Sequence, residues 1–253
     1  MRVAPDTRRC IFCGSGSLTR EHVLPRWLEG VLPGAGPFRI RHDDAVDPHR
    51  LREWLSPRLN AVARSVCGGC NSGWMAALED AARPILAPLI KGEPSRLPES
   101  DLGTIAFWAA KTMFMVDLTL AVRAVPASAF AEIYRLQAPP RTAAMLLSGY
   151  AGTRTSTYRG SHLELRGSKS GREGNGYTTA LQLGALAIQL IAHDMGTRPA
   201  EVDVGGAAPF LLPLRPVHGA QDWPPPALLR SDPDLTVWTQ AFLPEHLRTT
   251  GFG

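Results

Sequence analysis

The sequence has little lysine, little cysteine and no long uninterrupted apolar run. Only three of its 27 basic residues are lysines, and its four cysteines form two short pairs with no odd thiol left over. The two longest apolar stretches, residues 105–122 and 180–192, are interrupted by Lys111, Asp117 and Gln189. These stretches are too short or too polar to span a bilayer, which excludes a membrane-spanning helix there. We interpret both as buried helices.

The basic composition does not by itself identify a partner. The chain has a net charge of +4, which favours binding to polyanions such as nucleic acid. However, a coding bias towards GC-rich codons would also replace lysine by arginine and enrich alanine, glycine and proline. Composition alone therefore leaves the choice between a nucleic-acid partner and codon bias open.

The first ten residues, MRVAPDTRRC, lack the basic segment and following apolar segment of a secretory signal. We therefore expect no export and a cytoplasmic location without membrane attachment. The hydrophobic fraction of 44% and charged fraction of 20% are those of an ordinary globular protein. A length of 253 residues is compatible with two domains.

The distribution of residue types predicts a domain boundary near residue 95. Residues 1–90 are rich in Cys, His and Trp, and a polar, proline-bearing segment at 91–100 precedes a long apolar helical pattern. We predict the α+β class, with an N-terminal module at 1–95 and a mixed α/β domain at 96–253 whose role stays open, with target choice or assembly as the options.

In the N-terminal module, hydrophobic patterning predicts two short strands, a helical turn between them and a final helix. The strands are expected at Leu18–Leu24 and Val62–Val66, the turn at Arg26–Val31 and the helix at Cys70–Leu86. We expect the helix to weaken at its prolines and residues 33–57 to be rich in loops.

In the C-terminal domain, the same patterning predicts two helices first, one around 102–115 and one at 127–136. Three strands should follow, at Thr142–Tyr150, Arg154–Leu165 and Tyr177–Leu183. We interpret the apolar segment Gly184–His193 as a last helix.

The cysteines predict a structural zinc site. They occur as Cys10-Ile-Phe-Cys13 and Cys67-Gly-Gly-Cys70, and four thiolates from two such pairs supply a tetrahedral zinc shell. Disulfide bonds are the first alternative, which the missing secretory signal disfavours. A redox-active Cys-x-x-Cys is the second, but it would account for one pair and leave the other unused.

The 53 residues between the two pairs exceed the roughly 15–20 of a plain zinc ribbon. This insert carries the string Arg20-Glu21-His22-Val23-Leu24-Pro25, and Asn71 directly follows the second pair. In order and residue type, residues 8–80 resemble the HNH endonuclease family. That pattern has Cys-x-x-Cys, an acidic residue and His before a hydrophobic residue and Pro, a central Asn, and Cys-x-x-Cys followed by His or Asn.

The resemblance implies a ββα-metal module with two kinds of metal site. It implies that His22 is the general base, and that Glu21 and Asn71 bind a catalytic divalent cation such as Mg²⁺. It also implies that Cys10, Cys13, Cys67 and Cys70 bind the structural zinc. Asn60 is the candidate for the central Asn that orients the base, although it lies further upstream than usual. Glu21 replaces the commoner Asp.

These residue types suit phosphodiester hydrolysis. Imidazole, with an ordinary pKa of about 6.5, can accept a proton from water at physiological pH. Carboxylate and amide oxygens are suitable ligands for a hard cation that stabilises charge on phosphate. We expect DNA to be the substrate, and the oligomeric state stays open, with a homodimer among the options.

Two other functions remain open at this point. One is a catalytically silent, zinc-stapled module that binds nucleic acid. The other is an enzyme that uses the same His-plus-metal centre on a small molecule, because one fold can host different chemistries. A nuclease needs a basic approach to His22, whereas a small-molecule enzyme needs an enclosed pocket.

Overall fold

A computed structural model describes residues 9–32, 38–44, 52–56, 61–120, 123–166, 173–217 and 219–240. Helices and strands are mixed along this part of the chain, and the predicted α+β class is confirmed. The elements below are numbered in chain order.

The N-terminal half begins with strands and ends with helices. Its strands are β1 (Leu18–His22), β2 (Phe38–Asp44), β3 (Arg52–Ser56), β4 (Val62–Cys67) and β5 (Ser95–Leu97), with a 3-10 turn at Arg26–Gly30. Its helices are α1 (Gly68–Cys70), a π-helical turn at Asn71–Met75, α2 (Ala76–Lys91) and α3 (Glu99–Asp117). The predicted strands at Leu18–Leu24 and Val62–Val66 and the helical turn between them are confirmed, apart from their ends.

The C-terminal half consists mostly of strands. It contains α4 (Ala127–Leu136), β6 (Ala144–Tyr150), β7 (Ser156–Arg166), β8 (Glu173–Leu183), β9 (Leu186–His193), a 3-10 turn at Gly205–Phe210, β10 (Leu212–Arg215), β11 (Gln221–Trp223), β12 (Leu228–Leu229) and α5 (Asp232–Gln240). The three strands predicted in this region and the helix at 127–136 are confirmed, apart from their ends.

Three sheets organise the described residues. β1 and β4 form an antiparallel pair, and β5 pairs with β11. The large sheet has eight strands in the described part of the chain, in the order β10-β6-β9-β8-β7-β2-β3, with β12 beside β6. Helix α3 packs between this sheet and α2, and its residues from Ala109 to Asp117 are all buried.

The large sheet contains two strands from between the cysteine pairs. β2 runs parallel to β7, and β3 pairs with β2, so the prediction of loop for residues 33–57 was wrong at these strands. One hydrophobic cluster extends from Phe12 near the first cysteine pair to Trp223. The division into domains 1–95 and 96–253 stays a prediction.

The interpretation of Gly184–His193 as a helix was wrong. The segment Leu186–His193 is strand β9, which lies between β6 and β8 and is buried on both faces. Such a strand has the continuous apolar composition of a buried helix, so hydrophobic periodicity does not distinguish the two. Gly184, with φ 54°, instead forms the two-residue turn of the β8–β9 hairpin.

Helix α2 continues through Pro84 and Pro88 to Lys91, further than expected. Each proline removes one helical N–H donor. Packing compensates for this loss, because the residues of one face, including Leu86 and Leu89, are fully buried. Gly92, with φ 79°, ends the helix, and its N–H donates to the carbonyl of Leu89 at 3.0 Å. Within the described residues, no helix is long and apolar enough to cross a membrane.

Candidate metal centre and adjoining histidine

The four cysteines converge where the loop of the first pair meets the end of β4 and the start of α1. Their sulfur atoms all lie within 4.8 Å of one another, and Cys13 Sγ is 3.5 Å from Cys67 Sγ. None of the four forms a disulfide bond. The two pairs therefore form one cluster of four free thiols that can hold a metal ion, as their spacing predicts.

Backbone conformation at each pair directs the thiols inward. Gly14 follows the first pair with φ 75°, and its N–H donates to the carbonyl of Cys10 at 2.9 Å, closing a tight turn. At the second pair, the N–H of Cys70 approaches the sulfur of Cys67 at 3.4 Å. Hydrogen bonds within the protein therefore form both turns without a contribution from a bound metal.

The sulfur cluster fits a tetrahedral cation. Bonds of about 2.3 Å from zinc to four sulfurs place the sulfurs roughly 3.8 Å apart, and the separations here include one of 3.5 Å and do not exceed 4.8 Å. Burial raises the pKa values of Cys10 and Cys70 above 9.0. Burial acts the same way on Cys13, but hydrogen bonds with Ser15 and neighbouring thiols outweigh it and lower this pKa to about 6.

The pairing of β1 with β4 sets the positions of the residues around Glu21. Thr19 lies opposite Val66, and His22 lies opposite Val62. A bulge lies between Thr19 and Glu21, where the pairing register shifts, so the simple alternation of side chains does not relate these two positions. Thr19 contacts Asn71 at the start of the helical segment, and Glu21 interacts electrostatically with Lys111 of α3 and Glu79 of α2.

Asn71 lies beside β1 at the start of the helical segment. Its Nδ2 donates to Thr19 Oγ1 at 3.4 Å, and Thr19 Oγ1 in turn donates to the carbonyl of Val66 at 3.1 Å. In the described part of the chain, the amide oxygen of Asn71 accepts no hydrogen bond. Amide and carboxylate oxygens such as those of Asn71 and Glu21 are the kind of ligand that Mg²⁺ binds together with water.

His22 ends β1 and contacts the turn that follows it. Arg26 Nε donates to His22 Nε2 at 3.2 Å. Because Nε2 accepts in this contact, a neutral imidazole carries its proton on Nδ1. Arg26 is therefore in direct contact with the predicted base.

Glu79 accepts three hydrogen bonds on the helical side of β1. Trp27 Nε1 donates to Oε2 at 2.9 Å, and Trp108 Nε1 donates to the same oxygen at 2.8 Å. Lys111 Nζ donates to Oε1 in a buried ion pair. One carboxylate therefore joins the 3-10 turn, α2 and α3.

Glu21 is half-buried beside this cluster. Burial raises the pKa of its carboxyl group, the positive charge of Lys111 opposes that effect, and the negative charge of Glu79 adds to it. The carboxylate therefore lies in a region where one cation and a second anion already balance each other.

Aromatic packing fixes the first cysteine pair against the helices. Phe12, between Cys10 and Cys13, makes edge contacts with Trp74 and Phe130, at centroid distances of 5.4 and 5.6 Å. Trp74 also stacks on Phe107 at 5.5 Å. Trp74, four residues after Cys70, thus packs the helical segment against the first cysteine pair.

The structure brings most of the predicted site residues to one region. The four cysteines form a cluster, and Glu21, His22 and Asn71 lie on the hairpin and helix next to it. Asn60 lies outside the described residues. Sequence reasoning did not foresee the contact between Arg26 and His22, or the use of Glu79 by two tryptophans and Lys111, because no local pattern records such contacts.

Comparisons with family models, curated proteins and solved structures found no match for this chain. Its own residues and geometry therefore carry the functional argument.

A cavity of about 790 Å³ lies away from His22. It opens between α4 and the ends of β7, β8 and β9, where Tyr177 and His162 line it. Neither His22, Glu21 nor Asn71 lines this cavity.

Proposed function

We propose that this chain is a metal-dependent endonuclease of the HNH type that hydrolyses DNA phosphodiester bonds. The observation that carries the proposal is the arrangement around β1. Asn71 contacts Thr19 of β1, Glu21 and His22 are the last two residues of the same strand, and four clustered cysteines lie at the hairpin's other end. This order of strand, strand and helix is the one that the HNH resemblance implies.

In this proposal the four cysteines bind one structural zinc ion. The cluster has only sulfur ligands and no fifth group among the described residues, as expected of a closed structural site. The metal would link the loop of the first pair to the end of β4 and the start of α1. It would thereby fix the distance between the strand carrying His22 and the helix carrying Asn71.

His22 is the proposed general base. It accepts the proton of the attacking water through Nε2, which in the resting arrangement accepts from Arg26. A DNA phosphate competes for the Arg26 guanidinium, because arginine forms strong paired hydrogen bonds with phosphate. Transfer of Arg26 to the phosphate frees Nε2 for the water.

Glu21 and Asn71 are the proposed ligands of a divalent cation such as Mg²⁺. When bound, this cation would stabilise negative charge on the phosphate oxygens and on the departing 3′ oxygen. Glu21 supplies the charge of the pair, and Asn71 supplies a neutral oxygen whose position is set by its contact with Thr19.

Surface charge supports a polymeric anion as substrate. Arg20 and Arg26, close to His22 in sequence, are exposed, and so is Arg64 on the partner strand β4. Exposed arginines of this kind contact phosphate groups.

A second candidate function is a silent nucleic-acid-binding module with the same zinc staple. The contact of Arg26 with His22 Nε2 favours it, since an arginine that stays in place would keep the base occupied. Such a module would bind DNA with salt-dependent affinity and release no cleavage product.

Incubation with supercoiled plasmid and single-stranded DNA under Mg²⁺, Mn²⁺ or Ni²⁺ tests the proposal. We expect nicked or linear product with at least one metal, and none with EDTA in excess over the added cation. DNA binding without product under all three metals would favour the silent module. Absence of both binding and cleavage would contradict both candidates.

A further inference from the structure

The cavity between α4 and the ends of β7, β8 and β9 has a buried tyrosine in its wall. Tyr177, on β8, lines this cavity and is 6% exposed. Its hydroxyl group forms no hydrogen bond within the described part of the chain. Buried polar groups normally have a partner, because leaving one unpaired costs free energy. This hydroxyl is therefore available to a molecule that enters the cavity.

Strand pairing and α3 fix the orientation of Tyr177. It lies directly opposite His162 in the uninterrupted pairing of β8 with β7, so the two side chains share one face of the sheet. The Tyr177 ring contacts the ring of Phe114 on α3, at a centroid distance of 6.1 Å. His162 also lines the cavity and is exposed, so the cavity is open to solvent beside the buried Tyr177.

Two polar groups of the cavity wall are hydrogen-bond donors. Burial, together with the negative charge of Glu132, raises the pKa of Tyr177, so its hydroxyl keeps its proton at neutral pH. His193 Nδ1 accepts from the N–H of Met195 at 3.2 Å, so a neutral imidazole carries its proton on Nε2 and can donate it. A ligand that accepts hydrogen bonds fits both groups.

The cavity wall also contains two acids and two arginines, and the protein itself engages the acids. Asp194 accepts from the N–H and the side-chain amide of Asn175, at 2.8 and 3.3 Å, and Glu132 accepts from the N–H of Arg141 at 3.2 Å. The guanidinium groups of Arg135 and Arg141 form no hydrogen bond or ion pair with the residues that the structure describes. The charge that remains for a ligand is therefore positive.

We propose that this cavity binds a small organic anion, a carboxylate or phosphate ester with an apolar body. Its oxygens accept from Tyr177 and His193, and Arg135 and Arg141 balance its charge. Apolar side chains contact its body, among them Pro126, Pro140 and Leu163. The cavity volume of about 790 Å³ falls within the roughly 300–1,000 Å³ of small-molecule sites. The site shares no residue with the proposed nuclease centre.

Saturation-transfer NMR of the zinc-loaded full chain tests the proposal with three probes that share one ring system. These are 2-naphthoate, 2-naphthyl phosphate and the neutral 2-naphthamide. We expect saturation transfer to at least one of the two anions, and weaker transfer or none to the amide. A preference between the anions identifies the ligand as a carboxylate or a phosphate ester. Equal binding of the amide, or no transfer to either anion, overturns the proposal.

Tyr177→Phe removes only the unpaired hydroxyl group. We expect it to weaken binding of the anion that binds the wild-type chain by about 10-fold or more, as for loss of a hydrogen bond to a charged group. Tyr134→Phe is the matched control, because Tyr134 is 38% exposed and does not line the cavity. It should leave the affinity within about twofold. Wild-type affinity in Tyr177→Phe overturns the proposal.

A double variant, Arg135→Gln with Arg141→Gln, tests the positive charge. We expect about 10-fold or more weaker binding of the same anion, because a hydrogen bond between arginine and an anion is stronger than a neutral one. Arg83→Gln with Arg96→Gln is the matched control, since both arginines are exposed, lie outside the cavity and remove the same net charge. Equal weakening in the two double variants would show an effect of net charge alone and contradict the site.

Thermal unfolding distinguishes a ligand-binding role of Tyr177 from a structural one. An unpaired buried hydroxyl costs free energy, so without added probe Tyr177→Phe should melt at or above the wild-type temperature. The bound anion should raise the melting temperature of the wild-type chain and not that of Tyr177→Phe. A lower melting temperature of Tyr177→Phe without probe would show that the hydroxyl stabilises the fold, and it would overturn the assignment of this group to a ligand.

Discussion

At the scale of single residues, the contact between Arg26 and His22 is the most informative feature of the site. The exposed guanidinium of Arg26 donates to His22 Nε2 at 3.2 Å, the nitrogen that accepts the proton in the proposed mechanism. The same guanidinium is one residue from Trp27, which Glu79 anchors. The backbone of Arg26 is therefore held in place, while its exposed guanidinium can transfer its hydrogen bond from His22 to a phosphate.

We expect Arg26→Ala to lower kcat/KM for plasmid cleavage by about 10–100-fold. A hydrogen bond to a charged group contributes about 1.5–3 kcal/mol, and each 1.4 kcal/mol is about tenfold in rate. Arg96→Ala is the control, because Arg96 is an exposed arginine that pairs with Asp222 at 2.7 Å, far from β1 in sequence. Equal rates for the two variants would remove Arg26 from the mechanism.

At the scale of elements, Asp232 fixes the first turn of α5 to the chain between β6 and β7. Its carboxylate accepts from the N–H and hydroxyl of Thr153, both at 3.1 Å, and from the hydroxyl of Tyr150. Burial acts to raise the pKa of Asp232. These hydrogen bonds and the charge of Arg154 outweigh it and lower the pKa below its ordinary value of 3.8.

Asp232→Asn should therefore destabilise the protein in a pH-dependent way. Because the folded-state pKa is the lower one, the ionised carboxylate stabilises the fold above about pH 4, and this contribution is lost as the pH falls through the folded-state value. We expect the variant to lose about 1–2 kcal/mol in urea unfolding at pH 7. The difference from wild type should shrink below pH 3.8, and a difference that is constant with pH would contradict this account.

Elements also show what local sequence patterns can predict. The short strands β1 and β4 and helix α3 followed from hydrophobic period and the positions of the cysteines. β9 was misassigned because a doubly buried strand and a buried helix share one composition, and only the turn at Gly184 distinguished them. The membership of β2 in the large sheet depends on pairing with β7, more than a hundred residues later, which no local pattern encodes.

The candidate site also has one part that the sequence could predict and one part that it could not. The cluster of four cysteines could be predicted, because each pair is set by a two-residue spacing and the pairs use every cysteine. The hydrogen bonds to Glu79 span 29, 32 and 52 residues, and they depend on how α2 and α3 pack. Such contacts can be identified only when the positions of α2 and α3 in the fold are known.

At the scale of the whole molecule, the cluster of four cysteines belongs to the main hydrophobic core. Cys10, Cys67 and Cys70 are buried in the same cluster as residues of α3 and the large sheet. Phe12 adds aromatic contacts to Trp74 and Phe130. Loss of a zinc ion bound by these cysteines should therefore destabilise the protein beyond the β1–β4 hairpin.

We expect Cys67→Ala to abolish zinc binding and lower the melting temperature. Structural zinc supplies folding free energy directly, and a loss of even about 3 kcal/mol lowers Tm by about 6–12 °C in a chain of this size. Zinc content by elemental analysis and thermal unfolding by circular dichroism measure the two effects. A wild-type protein that folds without zinc and has the same Tm as the zinc-loaded protein would refute the structural zinc site.

The most direct test of the nuclease proposal is the plasmid cleavage rate of His22→Ala beside that of His162→Ala. His162 is an exposed histidine on β7 in the large sheet, and it provides a matched substitution away from β1. With equal zinc content, we predict that His22→Ala loses about 10²–10⁴-fold in rate, as expected for removal of a general base, while His162→Ala stays within about twofold of wild type. Cleavage by His22→Ala at the wild-type rate would contradict the assignment.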